Sequence, residues 1–262
     1  MEFRFKAGTV PMLLSMPHVG TDIPDEVAHA LAPCARALAD TDWHLTRLYD
    51  FAEALGISVL SARWSRYVID LNRPPEDTNL YPGMDTTGLC PVDTFGRESL
   101  YLPGKEPGTA EVERRLARHW RPYHDQLRAE LDRLLALHGR VLLWDAHSIA
   151  STVPRFFEGR LPDLNFGTAE GKSCDPGLEQ AVVDVARAHG KFSIAVNGRF
   201  KGGYITRHYG RPHENVHAIQ LEMCQCLYMD EAAPFAWRPE AAAGVQPLLA
   251  QMVGAALEWV RT

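Results

Sequence analysis

Segments with the pattern of buried strands alternate along this chain with segments that have the pattern of amphipathic helices. The clearest strand is "RVLLWDAHSIAS", an apolar run that ends in polar residues, and "VHAIQLEMCQ" has the same character. Strands that are apolar throughout are typical of parallel sheets covered by helices on both faces. The sequence therefore predicts an α/β fold, with a three-layer α/β/α arrangement around a mixed, mainly parallel central sheet.

The remaining elements follow from shorter patterns. The segment "TVPMLLSMPHVG" predicts a buried strand over about Val10 to Met16, and "SRYVIDLNRPP" predicts another over about Arg66 to Leu71. The Gly-flanked "GGYITRHYG" predicts a hairpin arm, and the longest helical pattern runs from Thr109 to Gly139 with a kink expected at Pro122. Other amphipathic helices are predicted at "IPDEVAHALAPCARALA", "DTDWHLTRLYDFAEALG", "DPGLEQAVVDVARAHG" and "AGVQPLLAQMVGAALEWVRT".

No repeat, low-complexity stretch or linker divides the chain, so we expect one domain over residues 1–262. One long segment, Glu76 to Lys105, is rich in Pro, Gly and Thr. Loops of this length in a compact domain tend to be functional. We therefore expect this loop, at about 76–105, to lie beside the site as a lid or as one wall.

The composition excludes several classes of function. A formal net charge of -6 gives no basic surface for nucleic acid. No apolar run approaches the roughly 20 residues that span a bilayer, and "MEFRFKAGTV" lacks the features of a secretory signal. The five cysteines are scattered and odd in number, which is typical of reduced thiols. We expect a cytoplasmic protein with neither nucleic-acid nor membrane partners.

The segment "GRPHENVHAIQLEM" contains the H-E-x-x-H pattern of zinc metalloproteases, as His213, Glu214 and His217. That pattern needs a helix, on which residues four apart share a face. Here Pro212 precedes the first histidine, and the residues that follow have the pattern of a strand. On a strand the two histidines would be about 13 Å apart, which is too far to share one metal ion. We interpret the match as a coincidence.

Polar residues gather at the predicted carboxyl ends of the strands, where open α/β sheets place their sites. They are His18, "DLNR" at Asp70 to Arg73, "DAHS" at Asp145 to Ser148, and Glu222. Two histidines and a glutamate at separate strand ends are typical of a single-metal hydrolytic site. Asp145 stands two residues before His147 on the same face of its strand, so it can orient that ring.

The chain resembles the N-formylglutamate amidohydrolases over nearly its whole length. The resemblance is carried by "PHVGTDIP", "DTDWHLTRLYDFA", "SRYVIDLNRPP", "LWDAHSI", "NGRFKGGYITRHYG" and "HAIQLEM". More distantly, the order His, Asn-Arg, His-Ser and Glu is similar to that of zinc carboxypeptidases and aspartoacylases. The resemblance implies a phosphorylase/hydrolase-like, zinc-carboxypeptidase-like version of the predicted fold.

The resemblance also implies roles for individual residues. His18 and His147 would be metal ligands, Asn72 and Arg73 would bind a substrate carboxylate, and Glu222 would be the catalytic base. The expected cofactor is one Zn²⁺ ion, although Co²⁺ or Mn²⁺ could also serve. We expect the protein to hydrolyse the formyl amide of N-formyl-L-glutamate to L-glutamate and formate, as a step of histidine degradation.

The third metal ligand departs from the carboxypeptidase pattern H-x-x-E, because Thr21 stands three residues after His18. The resemblance favours Asp42 as the replacement, since the amidohydrolase pattern carries an aspartate there. Asp22 and then Asp40 are the alternatives.

The expected partner is a small-molecule dicarboxylate, whose two carboxylates call for about two guanidinium groups in planar contact. Arg73 is the first candidate, followed by Arg207 and then Arg66. Three other functions stay open: deacylation of a related N-acyl amino acid, a zinc metallopeptidase, and a non-catalytic protein that binds acidic metabolites. The oligomeric state, monomer or homodimer, also stays open.

Overall fold

The computed structural model describes residues 1–262, and its centre is a seven-stranded sheet in the order β1-β3-β2-β4-β7-β5-β6. Four strand pairs are parallel, namely β2 with β3, β2 with β4, β4 with β7, and β5 with β6. The pairs β1 with β3 and β5 with β7 are antiparallel, so the sheet is mixed and mainly parallel, as predicted. The strands are β1 Phe3–Lys6, β2 Met12–Met16, β3 Ser58–Ala62, β4 Val141–Ile149, β5 Leu164–Gly167, β6 Ile194–Val196 and β7 Val216–Cys224.

Seven α-helices connect or cover these strands. They are α1 Asp25–Ala28, α2 Leu45–Leu48, α3 Thr109–Arg115, α4 Arg121–His138, α5 Pro176–His189, α6 Tyr204–Tyr209 and α7 Pro239–Arg261. Short 3₁₀ turns occupy Pro33–Ala37, Asp50–Ala52, Pro212–Glu214 and Gln225–Leu227. None of the helices combines the length and the apolar character that crossing a membrane requires.

Two hydrophobic cores lie on opposite faces of the sheet, which confirms the three-layer prediction. On β4, Leu142 and Trp144 belong to the core that includes α5 and α7, whereas Val141 and Leu143 belong to the core that includes α4. Both central strands, β4 and β7, are buried along all nine of their residues. Because alternate residues of a strand face opposite sides, every second residue at the carboxyl end of β4 and β7 points toward the α4 side.

The segment from Arg66 to Leu71 is buried but is not a strand, so that prediction was wrong. Side chains rather than a neighbouring strand satisfy part of its backbone: Arg115 donates to the carbonyl of Val68, and the ring of His124 lies 2.9 Å from the carbonyl oxygen of Leu71. This segment is therefore buried and largely apolar although it pairs with no strand of the sheet. The segment forms a turn-rich wall beside the sheet.

The segment predicted as a hairpin arm is instead the short helix α6. Its buried residues, Ile205, Thr206 and Tyr209, lie on one helical face. Short mixed patterns do not distinguish a strand from a single helical turn.

The two helices predicted over residues 23–56 are also broken into short pieces. Leu38 and His44 have positive φ angles of 49° and 62°, which interrupt right-handed helix. Shortly before Pro122, where the sequence predicts a kink, a π-helical segment at Leu116–Trp120 separates α3 from α4. Such segments accommodate an interrupted hydrogen-bond ladder inside a longer helix.

Candidate active site

A cleft of about 570 Å³, counting the space open to solvent at its mouth, lies at the carboxyl ends of β2, β4 and β7. Its lining includes His18 just after β2, His147 near the end of β4, and Glu222 near the end of β7. His147 and Glu222 are paired across the two strands, so the sheet register itself places their side chains next to each other. The predicted strand-end residues therefore meet in one place.

The side chains of His18, Asp42 and His147 form a buried group that can hold a metal ion. One potential ligand atom from each residue lies within 4.8 Å of those of the other two. The Asp42 Oδ2 atom is 3.2 Å from His147 Nδ1 and 3.8 Å from His18 Nδ1. His18 Nδ1 is buried without any hydrogen-bond partner. An orphaned imidazole nitrogen beside a second imidazole and a carboxylate fits the donor set that zinc prefers.

The opposite ring nitrogen of each histidine faces a buried carboxylate. His18 Nε2 is 2.6 Å from Asp70 Oδ1, and His147 Nε2 is 3.2 Å from Asp145 Oδ2. A proton held on Nε2 by such a carboxylate leaves the lone pair of Nδ1 free for a cation. The site thus contains both the inward-facing nitrogens and the groups that fix their protonation.

Asp42 is held in place by its neighbours as well as by the histidines. Its backbone N–H donates to the carbonyl of His18 at 3.0 Å, which ties the loop before α2 to the end of β2. Its carboxylate accepts from Arg66 Nη2 at 2.8 Å and from the N–H of Ser148 at 3.2 Å. Burial alone would raise the pKa of Asp42, but the Arg66 guanidinium and the histidines leave that pKa below its usual value. The carboxylate is therefore ionised at neutral pH.

The two histidines have opposite electrostatic surroundings. Burial, together with the charge of Arg66, lowers the pKa of His18. Burial also acts to lower the pKa of His147, but the carboxylates of Asp145, Asp42 and Glu222 outweigh it and hold that pKa well above its usual value. The carboxylates around His147 make its surroundings strongly negative, and a cation would relieve that charge.

Glu222 is buried, and its carboxyl group makes one weak polar contact, 3.5 Å from Gln220 Nε2. Burial raises the pKa of Glu222 to about 8, and the charges of Asp42 and Asp145 add to this effect against His147 and Arg66. The Oε1 atom of Gln220 accepts from the N–H of Gly203 at 2.7 Å, which orients its amide nitrogen toward the glutamate. A carboxyl group with such a pKa can both accept and release a proton near neutral pH.

Asn72 lies between His147 and the backbone of α6. Its Oδ1 accepts from the N–H of Ile205 at 2.8 Å, and its Nδ2 lies 3.1 Å from His147 Nε2. Asn72 can donate to the unprotonated Nε2 nitrogen, and the carboxylate of Asp145, 3.2 Å from Nε2, balances the charge of a protonated ring. A side chain at Gly203 would fill the space of Asn72, because a Cβ there would stand 2.3 Å from Nδ2.

Of the three arginines predicted to bind substrate, two line the cleft and one does not. Arg73 and Arg66 line the cleft, but Arg66 is already paired with Asp42, and Arg73 Nη1 lies 3.8 Å from Asp70. Arg207 does not line the cleft; its Nε donates to the carbonyl of Gly202, and its guanidinium lies over the ring of Tyr81. The cleft-lining arginine of that region is instead Arg199. Arg199 was not among the arginines predicted from the sequence, although it lies in "NGRFKGGYITRHYG", one of the stretches that resemble the N-formylglutamate amidohydrolases.

The alternative third ligands, Asp22 and Asp40, lie outside the group formed by His18, Asp42 and His147. The carboxylate of Asp22 is 2.7 Å from Arg63 Nε at the surface. Asp40 accepts from the backbone N–H of Phe95 at 2.9 Å. Among the three aspartates weighed from the sequence, Asp42 is the one that faces the two histidines.

The H-E-x-x-H match does not form a site. His213 is exposed in a 3₁₀ turn, whereas His217 is buried in β7 with its ring against Trp259 of α7. His217 thus faces the α5 and α7 side, opposite to Glu222. The 76–105 loop does contribute to the cleft, through Tyr81, Thr86 and Phe95.

The fold and the cleft define an α/β protein with a candidate metal centre at the carboxyl edge of its sheet. The family model for N-formylglutamate amidohydrolase matches residues 10–229, and the chain belongs to this family. It is accordingly a hydrolase of linear amides.

Relatives and solved structures agree with this family. The chain is 52% identical over 257 residues to an N-formylglutamate deformylase of Pseudomonas aeruginosa, covering 98% of this chain and 96% of that protein. It is 50% identical to an N-formylglutamate deformylase of Pseudomonas putida, covering 97% and 95%. It is similar to the crystal structure of N-formylglutamate amidohydrolase from Ralstonia eutropha JMP134, with a TM-score of 0.84, 25% identity, and coverage of 99% and 98%. A structure from Agrobacterium tumefaciens, with a TM-score of 0.74 and 19% identity over 100% and 96% of the two chains, shares the fold.

Proposed function

We propose that this chain hydrolyses the formyl amide of N-formyl-L-glutamate to formate and L-glutamate with the help of one divalent metal ion. The observation that carries the proposal is the buried group of His18, Asp42 and His147 directly beside Glu222 in the cleft. The names of the relatives with 52% and 50% identity support the substrate.

The metal ion would be held by His18, Asp42 and His147. Two imidazoles and a carboxylate suit Zn²⁺ best among the common divalent ions, and Co²⁺ or Mn²⁺ can use the same donors. When bound, such an ion supplies a Lewis acid that makes water more acidic and polarises an amide carbonyl. Asp70 and Asp145 would keep the ligand nitrogens of the two histidines free of protons.

Glu222 would be the general base and then the general acid. Its carboxylate would take a proton from the attacking water as the oxygen bonds to the formyl carbon. It would then give that proton to the amide nitrogen as the carbon–nitrogen bond breaks, which releases the amine of glutamate and leaves formate. The raised pKa of Glu222 supports both transfers near neutral pH.

Asn72 and Arg73 would bind the substrate carboxylate next to the amide. They adjoin the metal-binding group, since Asn72 lies 3.1 Å from His147 and Arg73 lies 3.8 Å from Asp70, the partner of His18. A carboxylate anchored there would hold the small formyl group over the buried histidines. Arg66 would act mainly on Asp42, whose charge it balances.

Five free cysteines support our further proposal that the protein works in a reducing compartment, the cytoplasm. There the reaction would serve histidine degradation. The test of that role is growth on histidine as a nitrogen source after deletion of the gene, compared with growth on glutamate.

The direct test is metal analysis of the purified protein together with an assay of formate release from N-formyl-L-glutamate. We expect about one metal ion per chain, and loss of activity on chelation that returns when Zn²⁺ is added. A Glu222→Gln variant should keep the metal and lose about 10²–10⁴-fold in kcat. Faster release from N-formyl-aspartate or an N-acetyl amino acid would overturn the choice of substrate, and near-normal turnover of Glu222→Gln would overturn the role of the base.

A further inference from the structure

One arginine in the cleft, Arg199, has no acidic partner. Its Nε donates to the carbonyl of Phe156 at 2.7 Å, and its Nη2 donates to the carbonyl of Asp85 at 3.3 Å. A guanidinium group has five N–H donors, so both donors of Nη1 and one of Nη2 are left over. These donors belong to a residue that lines the cleft.

The neighbouring arginines are engaged in a different way. Arg66 is paired with Asp42 at 2.8 Å, and Arg73 lies 3.8 Å from Asp70. Arg155, close to Arg199 around Phe156, pairs with Asp85 and Asp93 and so anchors the 76–105 loop. Among these four arginines, Arg199 is the one that has no ion pair with a carboxylate.

Three aromatic rings and two carbonyl groups hold the Arg199 guanidinium in a defined orientation. Its central carbon lies 5.3 Å from the ring centre of Tyr81 and 5.4 Å from those of Phe156 and Phe200. Cation–π contacts of this kind restrict the side chain before any ligand arrives. A restricted guanidinium loses less conformational entropy when it binds a planar carboxylate with two hydrogen bonds.

The electrostatic surroundings also favour an anion. Burial lowers the pKa of Arg199, and the nearby charge of Arg73 lowers it further, although Tyr81, Asp85 and Glu222 act in the opposite direction. A half-buried cation beside a second cation is costly, and an anion between them relieves both the burial and the repulsion.

We propose that Arg199 binds the side-chain carboxylate of the substrate and sets the preference of the enzyme for a second carboxylate over an uncharged amide of the same shape. This inference rests on the proposed function and deepens it. In an N-formyl amino acid, one carboxylate is attached to the carbon that bears the amide. Asn72 and Arg73, which adjoin the metal-binding group, suit that carboxylate. The second carboxylate of glutamate lies two methylene groups further on and needs a separate cation.

The test compares two substrates of equal size, N-formyl-L-glutamate and N-formyl-L-glutamine, in wild type and in Arg199→Met. The wild type should prefer the glutamate derivative in kcat/KM. Arg199→Met should lose about 10- to 100-fold on that substrate, the range of a lost charge-assisted hydrogen bond, and much less on the glutamine derivative. The ratio of the two kcat/KM values should therefore fall toward one.

Arg207→Met is the matched control, because Arg207 also lies over Tyr81 but does not line the cleft. It should leave the ratio near its wild-type value. Arg199→Lys, which keeps the charge but not the planar fork, should have an intermediate ratio. The melting temperature of each variant checks that the chain is folded.

Binding of L-glutamate and L-glutamine by calorimetry provides a readout that does not depend on turnover. Wild type should bind glutamate more tightly, and Arg199→Met should bind both equally. If wild type releases no formate, the proposed function fails, while the binding comparison still tests Arg199. An unchanged substrate ratio and binding preference in folded Arg199→Met would overturn the inference, as would an equal loss on both substrates.

Discussion

Replacement of Asp70 by Asn should weaken metal binding without unfolding the chain. Asp70 is fully buried, and its Oδ1 lies 2.6 Å from His18 Nε2 and accepts from the backbone N–H of Asn72 at 2.8 Å. An asparagine has nearly the same shape and can still accept those hydrogen bonds. The substitution therefore removes the negative charge that favours a proton on Nε2 and a free lone pair on Nδ1. The same charge also lies 3.8 Å from Arg73, so zinc affinity rather than turnover is the readout.

The magnitude follows from the surroundings of this carboxylate. Loss of a carboxylate behind a metal-binding histidine typically costs about 10- to 100-fold in metal affinity, or about 1.4 to 2.7 kcal/mol. The short contact and the complete burial of Asp70 place the expected loss near the upper end, because solvent does not screen the charge.

The measurement is competition for Zn²⁺ against a chromogenic chelator, at constant pH, for wild type, Asp70→Asn and Asp22→Asn. The last is the control, because Asp22 is a surface carboxylate paired with Arg63. We expect a Kd for zinc that is raised in Asp70→Asn and unchanged in Asp22→Asn. A zinc affinity of Asp70→Asn within twofold of wild type would refute the role of this carboxylate.

Three further predictions concern the pH dependence of stability, the packing around Gly203 and the H-E-x-x-H match. The pKa of Glu222 is raised by burial to about 8 in the folded chain, so the folded state binds its proton more tightly than the unfolded state. In protein stripped of metal, this stability is full below the unfolded pKa near 4.5 and is lost as the pH rises toward 8. Melting temperatures from pH 5 to 8 should therefore fall more steeply for wild type than for Glu222→Gln, and parallel curves would argue against the raised pKa. Gly203→Ala should lower kcat/KM at least about tenfold, because the new methyl group displaces Asn72 from the site and a 1 Å misplacement alone can cost about 10²-fold. Gly254→Ala, a helical position with open space around it, should keep full activity. His213→Ala should keep wild-type metal content and formate release, since the side chain is exposed and away from the cleft; loss of zinc would favour a metallopeptidase-type site.

Several features of the fold could be predicted from sequence because burial leaves a strong pattern. The largely apolar runs of β4 and β7 indicated central strands, and the polar residues near their carboxyl ends indicated the edge that carries the candidate site. Short segments could not be assigned in this way. The residues of α6 and the buried turn at Arg66 to Leu71 take their conformation from tertiary contacts, such as the Arg115 and His124 side chains that bond to the turn.

The choice among candidate side chains was also beyond the sequence. Residues 22–42 contain four aspartates, three of which are candidates from the sequence. Only the path of the loop after β2 brings Asp42, rather than Asp22 or Asp40, to the histidines. The same holds for the arginines. Arg207 and Arg199 are eight positions apart around a glycine pair, and the start of α6 at Tyr204 turns Arg207 away from the cleft.

The central claim is that one metal ion is bound by His18, Asp42 and His147. The measurement that tests it most directly is anomalous diffraction at the zinc edge from crystals grown with stoichiometric Zn²⁺. We expect a single strong peak about 2.0–2.2 Å from Nδ1 of both histidines and from an oxygen of Asp42. A peak at His213 or His217 instead, in crystals whose dissolved protein is active, would contradict the claim.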